Sequence, residues 1–245
     1  MTWRRGAFLL AGWLVVGVAL SPPFDSVADE RLPWHMLQHM LLLAVAPALL
    51  VLGEPVRVAF DLLPPRGARR LAGALRRPPL ETLLNPVVAL SLFFLIALGT
   101  HVPVVFDTAM ESDPLHALEH FSYLLAGLLL WSVAVGADPA RKPLSLIGVT
   151  GVLTAAMVPM LAVGVALATA SGVIYTPYAL GEQEAGATAM WAGDLPFILA
   201  LVLAGWGALR REERLQRLHE LAGERETAND RAIGGFSRSR GGGRV

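Results

Sequence analysis

The chain has 245 residues, of which 54% are hydrophobic and only 16% are charged, and its formal net charge is zero. An ordinary soluble domain is excluded, because such domains carry about 25% charged residues. The sequence contains no cysteine, which excludes disulfides, thiolate metal sites and iron–sulfur ligation, so any metal must be bound by His, Met, Asp or Glu.

The apolar residues are concentrated in six blocks, each close to the roughly 20 residues that a helix needs to cross a bilayer. The strand-length alternation of a membrane β-barrel is absent from the sequence, and backbone groups in lipid must be hydrogen-bonded within their own segment. The pattern predicts an all-α polytopic membrane helical bundle with about six transmembrane helices. In chain order the blocks are Trp3–Leu20, His35–Leu52, Asn85–Thr100, His116–Val135, Leu144–Ser171 and Glu184–Leu209.

The segments between the blocks are rich in proline, glycine and charge. Ser21-Pro22-Pro23 and Leu63-Pro64-Pro65-Arg66-Gly67 are predicted to be loops, because proline is a poor residue for a helix interior. The first block follows two arginines and so also resembles a secretory signal, but no small-x-small cleavage site precedes Ser21, which favours a retained helix. The polar, Gly-rich end of the chain predicts a bundle over residues 1–221 and a disordered cytoplasmic tail over 222–245.

The basic residues are strongly segregated along the chain. All of the twenty Lys and Arg residues except Arg31 fall at the termini or in the second and fourth connections. Short loops rich in Lys and Arg stay in the cytoplasm. The pattern predicts that both termini are cytoplasmic and that the first, third and fifth connections face the opposite side.

Five of the six histidines lie at the predicted outer ends of the helices. His35 and His39 begin the second block, His101 ends the third, and His116 and His120 begin the fourth. A spacing of four residues puts both imidazoles of a pair on one helix face. A single histidine at such a position would be a polar cap at the headgroup level, but five together predict a shared metal site. Imidazole nitrogen suits copper, zinc, iron and nickel.

Methionine and aspartate side chains extend this candidate site. The thioethers of Met36, Met40 and Met190 would favour Cu(I), whereas the alternative is that they pack against lipid or neighbouring helices. Asp194 lies inside the sixth block, where a carboxylate is costly. It is either a functional residue or the source of a hydrogen bond that fixes a kink beside Pro196.

Four motifs occur in a fixed order along the chain. Together they resemble the CtaG-type cytochrome c oxidase assembly factors of bacteria, over roughly residues 30–210. The chain departs from the family pattern at two points. It carries Glu182 where Asp is usual, and it has six apolar blocks, whereas members of the family have seven transmembrane helices. The motifs are His35-x-x-x-His39 leading to Ala46-Pro47 and Leu52-Gly53-x-Pro55; His101-x-Pro103; His116-x-x-x-His120 leading to Gly127 and Trp131; and Glu182-Gln183-x-x-Gly186-x-x-x-Met190-Trp191.

The resemblance implies a non-enzymatic metallochaperone of the bacterial inner membrane that binds copper, as Cu(I) or Cu(II), at the extracytoplasmic side. The implied partners are the lipid bilayer and the haem–copper oxidase subunit that carries the copper B site, and no nucleic acid is expected. The spacing Gly164-x-x-x-Ala168 leaves a homo-oligomer open. The implied copper ligands are His35, His39, His101, His116 and His120 with Met190 as a helper, and Met36, Met40 and Asp194 are auxiliary candidates.

Three other functions remain open from the residues. A b-type cytochrome would use His39 and His120 as axial haem ligands, although two histidines one turn apart on one helix cannot both bind the same iron. A zinc-dependent membrane hydrolase would use Glu119 or Asp194 as base, but neither histidine pair reads His-Glu-x-x-His. A proton-coupled transporter would need more intramembrane charge than Asp194 provides.

Overall fold

The computed structural model describes the backbone of residues 2–136 and 143–240, and within those ranges the side chains as far as residue 221. Throughout this part of the chain the regular structure is helical, which confirms the all-α class. The connection with Arg141 and Lys142 lies outside the described residues. The α-helices are α1 Trp3–Ala19, α2 Pro22–Glu30, α3 Leu32–Met40, α4 Ala46–Leu52, α5 Pro55–Leu62, α6 Pro65–Leu75, α7 Pro78–Leu83, α8 Pro86–Gly99, α9 Pro103–Met110, α10 Asp113–Val135, α11 Leu146–Ala156, α12 Val158–Thr169, α13 Gln183–Ala192 and α14 Leu195–Arg240.

Several of these helices are long and apolar enough to cross a membrane. Four continuous stretches qualify, and two bent pairs, α1 with α2 at 51° and α8 with α9 at 73°, would raise the number to six if each pair is one span. The described residues therefore contain four to six candidate spans, and six crossings with cytoplasmic termini stay a prediction. The four stretches are Leu32–Leu62, Asp113–Val135, Leu146–Thr169 and Leu180–Leu221.

Two proline-rich segments that were expected to be loops instead begin helices. Pro22 and Pro23 open α2, and Pro65 opens α6. The prediction was wrong at these positions because the rule against proline applies to helix interiors. At the first helical position an N–H would have no acceptor within the helix, so proline loses no hydrogen bond there. The fixed φ of proline also matches that of a helix.

A five-residue π-helical turn, Leu41–Val45, joins α3 to α4. Pro47 follows it and has no N–H to donate to the Leu43 carbonyl, four residues earlier, so the α-helical pattern is interrupted there. Gly127 of α10 packs against this interruption. A side chain at Gly127 would overlap the Leu43 carbonyl oxygen and the Pro47 ring. The interrupted backbone and the glycine together allow α4 and α10 to approach closely.

Helix α13 packs against both α3 and α12. Met36 and Met40 of α3 and Met190 of α13 are each at most 1% exposed and belong to the hydrophobic core. Gly164 of α12 lies directly under the Trp191 indole of α13, where a larger residue would overlap the ring. This glycine therefore serves packing within the chain, and the homo-oligomer stays a prediction.

The chain divides into two compact units, Met1–Leu201 and Val202–Val245. The backbone of α14 is helical to Arg240, and so extends into the segment for which the composition predicts disorder. Residues 211–232 are rich in Glu, Arg, Leu and Ala, which have high helix propensity. Side chains beyond residue 221 lie outside the described part of the chain, and the boundary between bundle and cytoplasmic tail stays a prediction.

Candidate metal centre

Five imidazoles from three parts of the fold form one cluster. The ring centroids of His35 and His39 on α3 are 4.2 Å apart, as are those of His116 and His120 on α10. The rings of His35 and His116 are stacked at 5.2 Å. His39 lies in the middle, 5.6 Å from His101 at the bend between α8 and α9 and 5.6 Å from His120. The structure thus brings together all five histidines that the spacing singled out.

The cluster is buried except at His116, which is partly exposed, and most of its nitrogen atoms have no hydrogen-bond partner among the described residues. This holds for both ring nitrogens of His35 and His39 and for Nε2 of His101, His116 and His120. The Ala28 carbonyl lies near His35 but accepts a hydrogen bond from the Tyr178 hydroxyl at 2.9 Å. Each buried polar atom without a partner costs about 1–3 kcal/mol, so the arrangement fits a bound ion that would satisfy several nitrogens at once.

Three of the histidines have the spacing of metal ligands. One ring nitrogen each from His35, His39 and His116 can be chosen so that the three atoms lie within 4.8 Å of one another. His35 and His39 are 0% exposed, whereas His116 is partly exposed. The trio therefore extends from the protein interior to its edge.

Hydrogen bonds hold both the ring and the backbone of His101. Its Nδ1 lies 2.7 Å from the Ala97 carbonyl oxygen, and because a carbonyl only accepts, Nδ1 carries the proton. Nε2 is thereby left with a free lone pair. The Tyr175 hydroxyl donates to the His101 backbone carbonyl at 3.0 Å. Metal-binding histidines are typically oriented by a hydrogen bond from the ring nitrogen that does not bind the metal, as the Nδ1 bond to Ala97 would do here.

A second polar network lies beside the histidines, and of its residues only Glu119 was singled out from the sequence, as a candidate hydrolase base. The Tyr123 hydroxyl donates to Glu119 Oε1 at 2.9 Å and lies 2.5 Å from Thr100 Oγ1. Glu119 is 6% exposed, and its Oε2 has no partner among the described residues. The Tyr123 ring centroid is 4.5 Å from that of His39. The position of Glu119 four residues before Tyr123 on one helix was the available signal.

The segment between α12 and α13 covers the cluster. Tyr175 stacks on Phe106 with centroids 4.0 Å apart, and Phe106 is in turn 5.0 Å from His35. Thr176 donates to Asp107 through its backbone N–H and, at 2.9 Å, its hydroxyl, which ties the segment to α9. Burial, with smaller contributions from Glu119 and Asp107, raises the pKa of Tyr175. The phenol is therefore a neutral hydrogen-bond donor in this cover.

The Glu182-Gln183 motif supports the helix that carries His35 and His39. Glu182 Oε2 accepts from the Leu32 backbone N–H at 3.0 Å, and Oε1 pairs with Arg31. A carboxylate at this position stabilises the start of α3. Gln183 accepts from Ile174 N–H at 2.6 Å and so shapes the covering segment. The motif acts on the site by positioning its backbone.

The remaining candidates are three methionines and Asp194. Met36, Met40 and Met190 are packed in the hydrophobic core, and a helper role for them stays a prediction. Asp194 is 7% exposed at the turn between α13 and α14, and its Oδ1 has no hydrogen-bond partner among the described residues. A backbone hydrogen bond follows this turn, in which the Asp194 carbonyl accepts from the Ile198 N–H at 3.0 Å.

Comparison with known proteins places these motifs in a family. A profile of the family described as cytochrome c oxidase caa3 assembly factor matches residues 1–211. Uncharacterized proteins of Mycobacterium bovis and Mycobacterium leprae are each 27% identical to the chain, over 80% and 87% of its length. The matched regions are 32% and 36% of those proteins, so the chain spans about a third of the length of these curated relatives. No solved structure matches the chain.

Proposed function

The chain belongs to the cytochrome c oxidase caa3 assembly factor family, and on that basis we propose that it binds copper and supplies it to the copper B site of a haem–copper oxidase. It does so without catalysing a reaction. The observation that carries the proposal is the buried group of five imidazoles, most of whose nitrogens lack hydrogen-bond partners among the described residues.

The chemistry of these donors suits a cargo that must be released again. Imidazole nitrogen binds copper, and copper stands highest among the divalent first-row metals for such ligands. The chain has no cysteine, so the ligands are neutral imidazoles and not thiolates. A metal ion bound by neutral ligands lacks the attraction to a negatively charged sulfur, which favours its release. His35, His39 and His116 form the group of closest nitrogens, and His101 and His120 flank it.

The burial gradient across the cluster suggests a direction of transfer. His116 is partly exposed, whereas His35 and His39 are fully buried. An ion would enter or leave through His116 and reside deeper in the cluster. If the basic residues orient the chain as proposed, this edge faces the extracytoplasmic side of a bacterial inner membrane, and copper is captured there without crossing the bilayer.

The packing around His39 disfavours the haem alternative. A porphyrin needs a flat slot beside its axial ligand, but the rings of His35, Phe106 and Tyr123 lie within 6.4 Å of the His39 centroid. The zinc hydrolase alternative has Glu119 close to the cluster, yet one of its oxygens is already bonded to Tyr123. Both alternatives are decided by the experiment that tests copper.

The protein purified in detergent is examined by visible spectroscopy and metal analysis, as wild type and as His39→Ala and His219→Ala variants. We expect copper in the wild type and the His219→Ala control, and loss of about 90% of it in His39→Ala, because a central ligand is removed. Thermal denaturation verifies that each variant is folded. A Soret band, zinc with hydrolytic activity, or unchanged copper in His39→Ala would contradict the proposal.

A cellular experiment tests delivery separately from binding. Cells that lack the chain should assemble a haem–copper oxidase deficient in copper B. The wild-type gene should restore the centre, and the His39→Ala gene should not. Full copper B occupancy in cells that lack the chain would rule out the delivery role. Copper binding itself is tested by the metal analysis of the purified protein.

A further inference from the structure

A cavity of about 360 Å³ opens beside the histidine cluster. Two elements supply its polar lining. Asp25 and Asp29 come from α2, and Asp113, His116 and His120 come from the first turns of α10. The cavity therefore joins three carboxylates to two of the five clustered imidazoles.

The carboxylates of the cavity interact with one another and with an exposed neighbour. Asp29 is within electrostatic range of Asp25, Asp113, Glu30 and His116. Among the described residues none of the three aspartates forms an ion pair with Lys or Arg, and the nearby Arg31 is paired with Glu182. Carboxylates that converge on a cleft with apolar walls concentrate cations there.

One of these carboxylates is held in place by a buried amide. The Gln38 Nε2 donates to Asp25 Oδ1 at 2.7 Å and to the Ala19 carbonyl at 2.8 Å. Gln38 is 0% exposed, so this geometry does not depend on solvent. Asp29 and Asp113, in contrast, are exposed at the mouth of the cavity.

The wall of the cavity includes a buried histidine. His120 lines the cavity and is only 7% exposed, and its Nε2 has no hydrogen-bond partner among the described residues. Carboxylate oxygens at the mouth and a buried imidazole behind them form an ordered series of donors. Hydrated cations prefer the former, and transition metals that have lost water bind the latter.

We propose that this cavity is an antechamber for cations, in which Asp29 and Asp113 hold a hydrated metal ion before it passes to His116 and His120. That the ion is copper in the cell rests on the proposed function. Cation binding in the antechamber does not, and it is therefore tested with a different metal.

Manganese(II) is the probe, because it prefers carboxylate and water oxygen to imidazole. Binding is measured by electron paramagnetic resonance on the whole protein in detergent. Two matched double variants carry the same charge change. Asp29→Asn with Asp113→Asn removes cavity carboxylates, and Glu111→Gln with Glu184→Gln removes exposed carboxylates that do not line the cavity.

We expect one weakly bound Mn²⁺ in the wild type, the Glu111/Glu184 control and His39→Ala, and about tenfold weaker binding in the Asp29/Asp113 variant, since ligand charge sets affinity at such sites. Equal binding in the two double variants would overturn the proposal, as would absence of Mn²⁺ binding from the wild type. Thermal denaturation shows whether the Asp29/Asp113 variant is folded. If it is not folded, the single variant Asp29→Asn replaces it, and the expected decrease in the logarithm of the Mn²⁺ affinity is about half as large.

Copper uptake kinetics test the handover. At low ionic strength the Asp29/Asp113 variant should load copper about tenfold more slowly than the control, with the same final copper content, because electrostatic steering affects the association rate. Added salt should remove the difference. Equal loading rates would overturn the antechamber, whereas a wild type that retains no copper but binds Mn²⁺ as expected would overturn the copper function alone.

Discussion

The ring nitrogens of the cluster differ in what holds them. His101 donates its Nδ1 proton to the Ala97 carbonyl at 2.7 Å, which fixes the ring and leaves a lone pair on Nε2. His35 and His39 have no such acceptor on either nitrogen among the described residues. Either nitrogen of these two buried rings can therefore offer a lone pair, depending on the tautomer. His101, in contrast, can offer only Nε2.

Tyr123→Phe tests the polar network beside the cluster. The substitution removes the hydroxyl that donates to Glu119 Oε1 at 2.9 Å, so this buried oxygen loses a hydrogen bond. We expect the free energy of unfolding to fall by about 1–3 kcal/mol, the cost of an unsatisfied buried group. Thermal denaturation in detergent measures the change.

The control for this variant is Thr169→Val, which removes an exposed hydroxyl bonded only within its own helix. Its denaturation temperature should stay close to that of the wild type. If Tyr123→Phe were no less stable than Thr169→Val, Glu119 would have to find another donor, and its place in the network would be wrong.

At the scale of the element, α3 is the helix on which the site depends, because it carries His35 and His39 and begins immediately after Arg31. No residue of the helix caps its own first turn. The cap comes from Glu182, about 150 positions later in the chain, at 3.0 Å from the Leu32 N–H. The loop that covers the cluster and the helix that bears it are thereby anchored to the same carboxylate.

Glu182→Ala should therefore affect both stability and metal binding. Loss of a helix cap costs about 1–2 kcal/mol, and misplacement of α3 should lower copper retention in the purified protein. Glu184→Ala, a neighbouring exposed carboxylate in the first turn of α13, is the control and should leave both quantities unchanged. Normal copper retention in Glu182→Ala would show that the cap does not position the histidines.

Gly127→Ala tests the contact between α10 and α4. The added methyl would overlap the Leu43 carbonyl oxygen, and a backbone atom cannot move aside as a flexible side chain can. We expect a loss of about 1–3 kcal/mol in the free energy of unfolding. Gly151→Ala places the same methyl in open space on α11 and should be neutral in the same denaturation experiment.

The elements themselves could be predicted from sequence only where periodicity or composition leaves a local signal. The apolar blocks and the four-residue histidine spacing are such signals, and the class of fold and the grouping of the histidines followed from them. The Pro-initiated helix α2 was missed, because an interior rule was applied to a first-turn position. The bond from Tyr175 to the His101 carbonyl joins residues 74 positions apart and has no sequence period at all.

At the scale of the whole molecule, the function depends on which side of the membrane the cluster faces. The described helices provide four to six candidate spans, and only the distribution of Lys and Arg orients them. A carrier that receives copper outside the cell membrane requires the start of α3 and the start of α10 on that side. Orientation is thus as much a premise of the proposal as the imidazoles are.

Single cysteine labelling decides the orientation, and the cysteine-free chain makes every introduced thiol unique. Ser26→Cys on α2, Ala74→Cys on α6 and Thr108→Cys on α9 all lie at exposed positions. The candidate span Leu32–Leu62 lies between Ser26 and Ala74, and helix α8 lies between Ala74 and Thr108. In intact spheroplasts a membrane-impermeant maleimide should label Ser26→Cys and Thr108→Cys, and Ala74→Cys only after permeabilisation. The reverse pattern would invert the protein and place the histidine cluster on the cytoplasmic side, whereas equal labelling of Ala74→Cys and Thr108→Cys would show that α8 and α9 re-enter the membrane without crossing it.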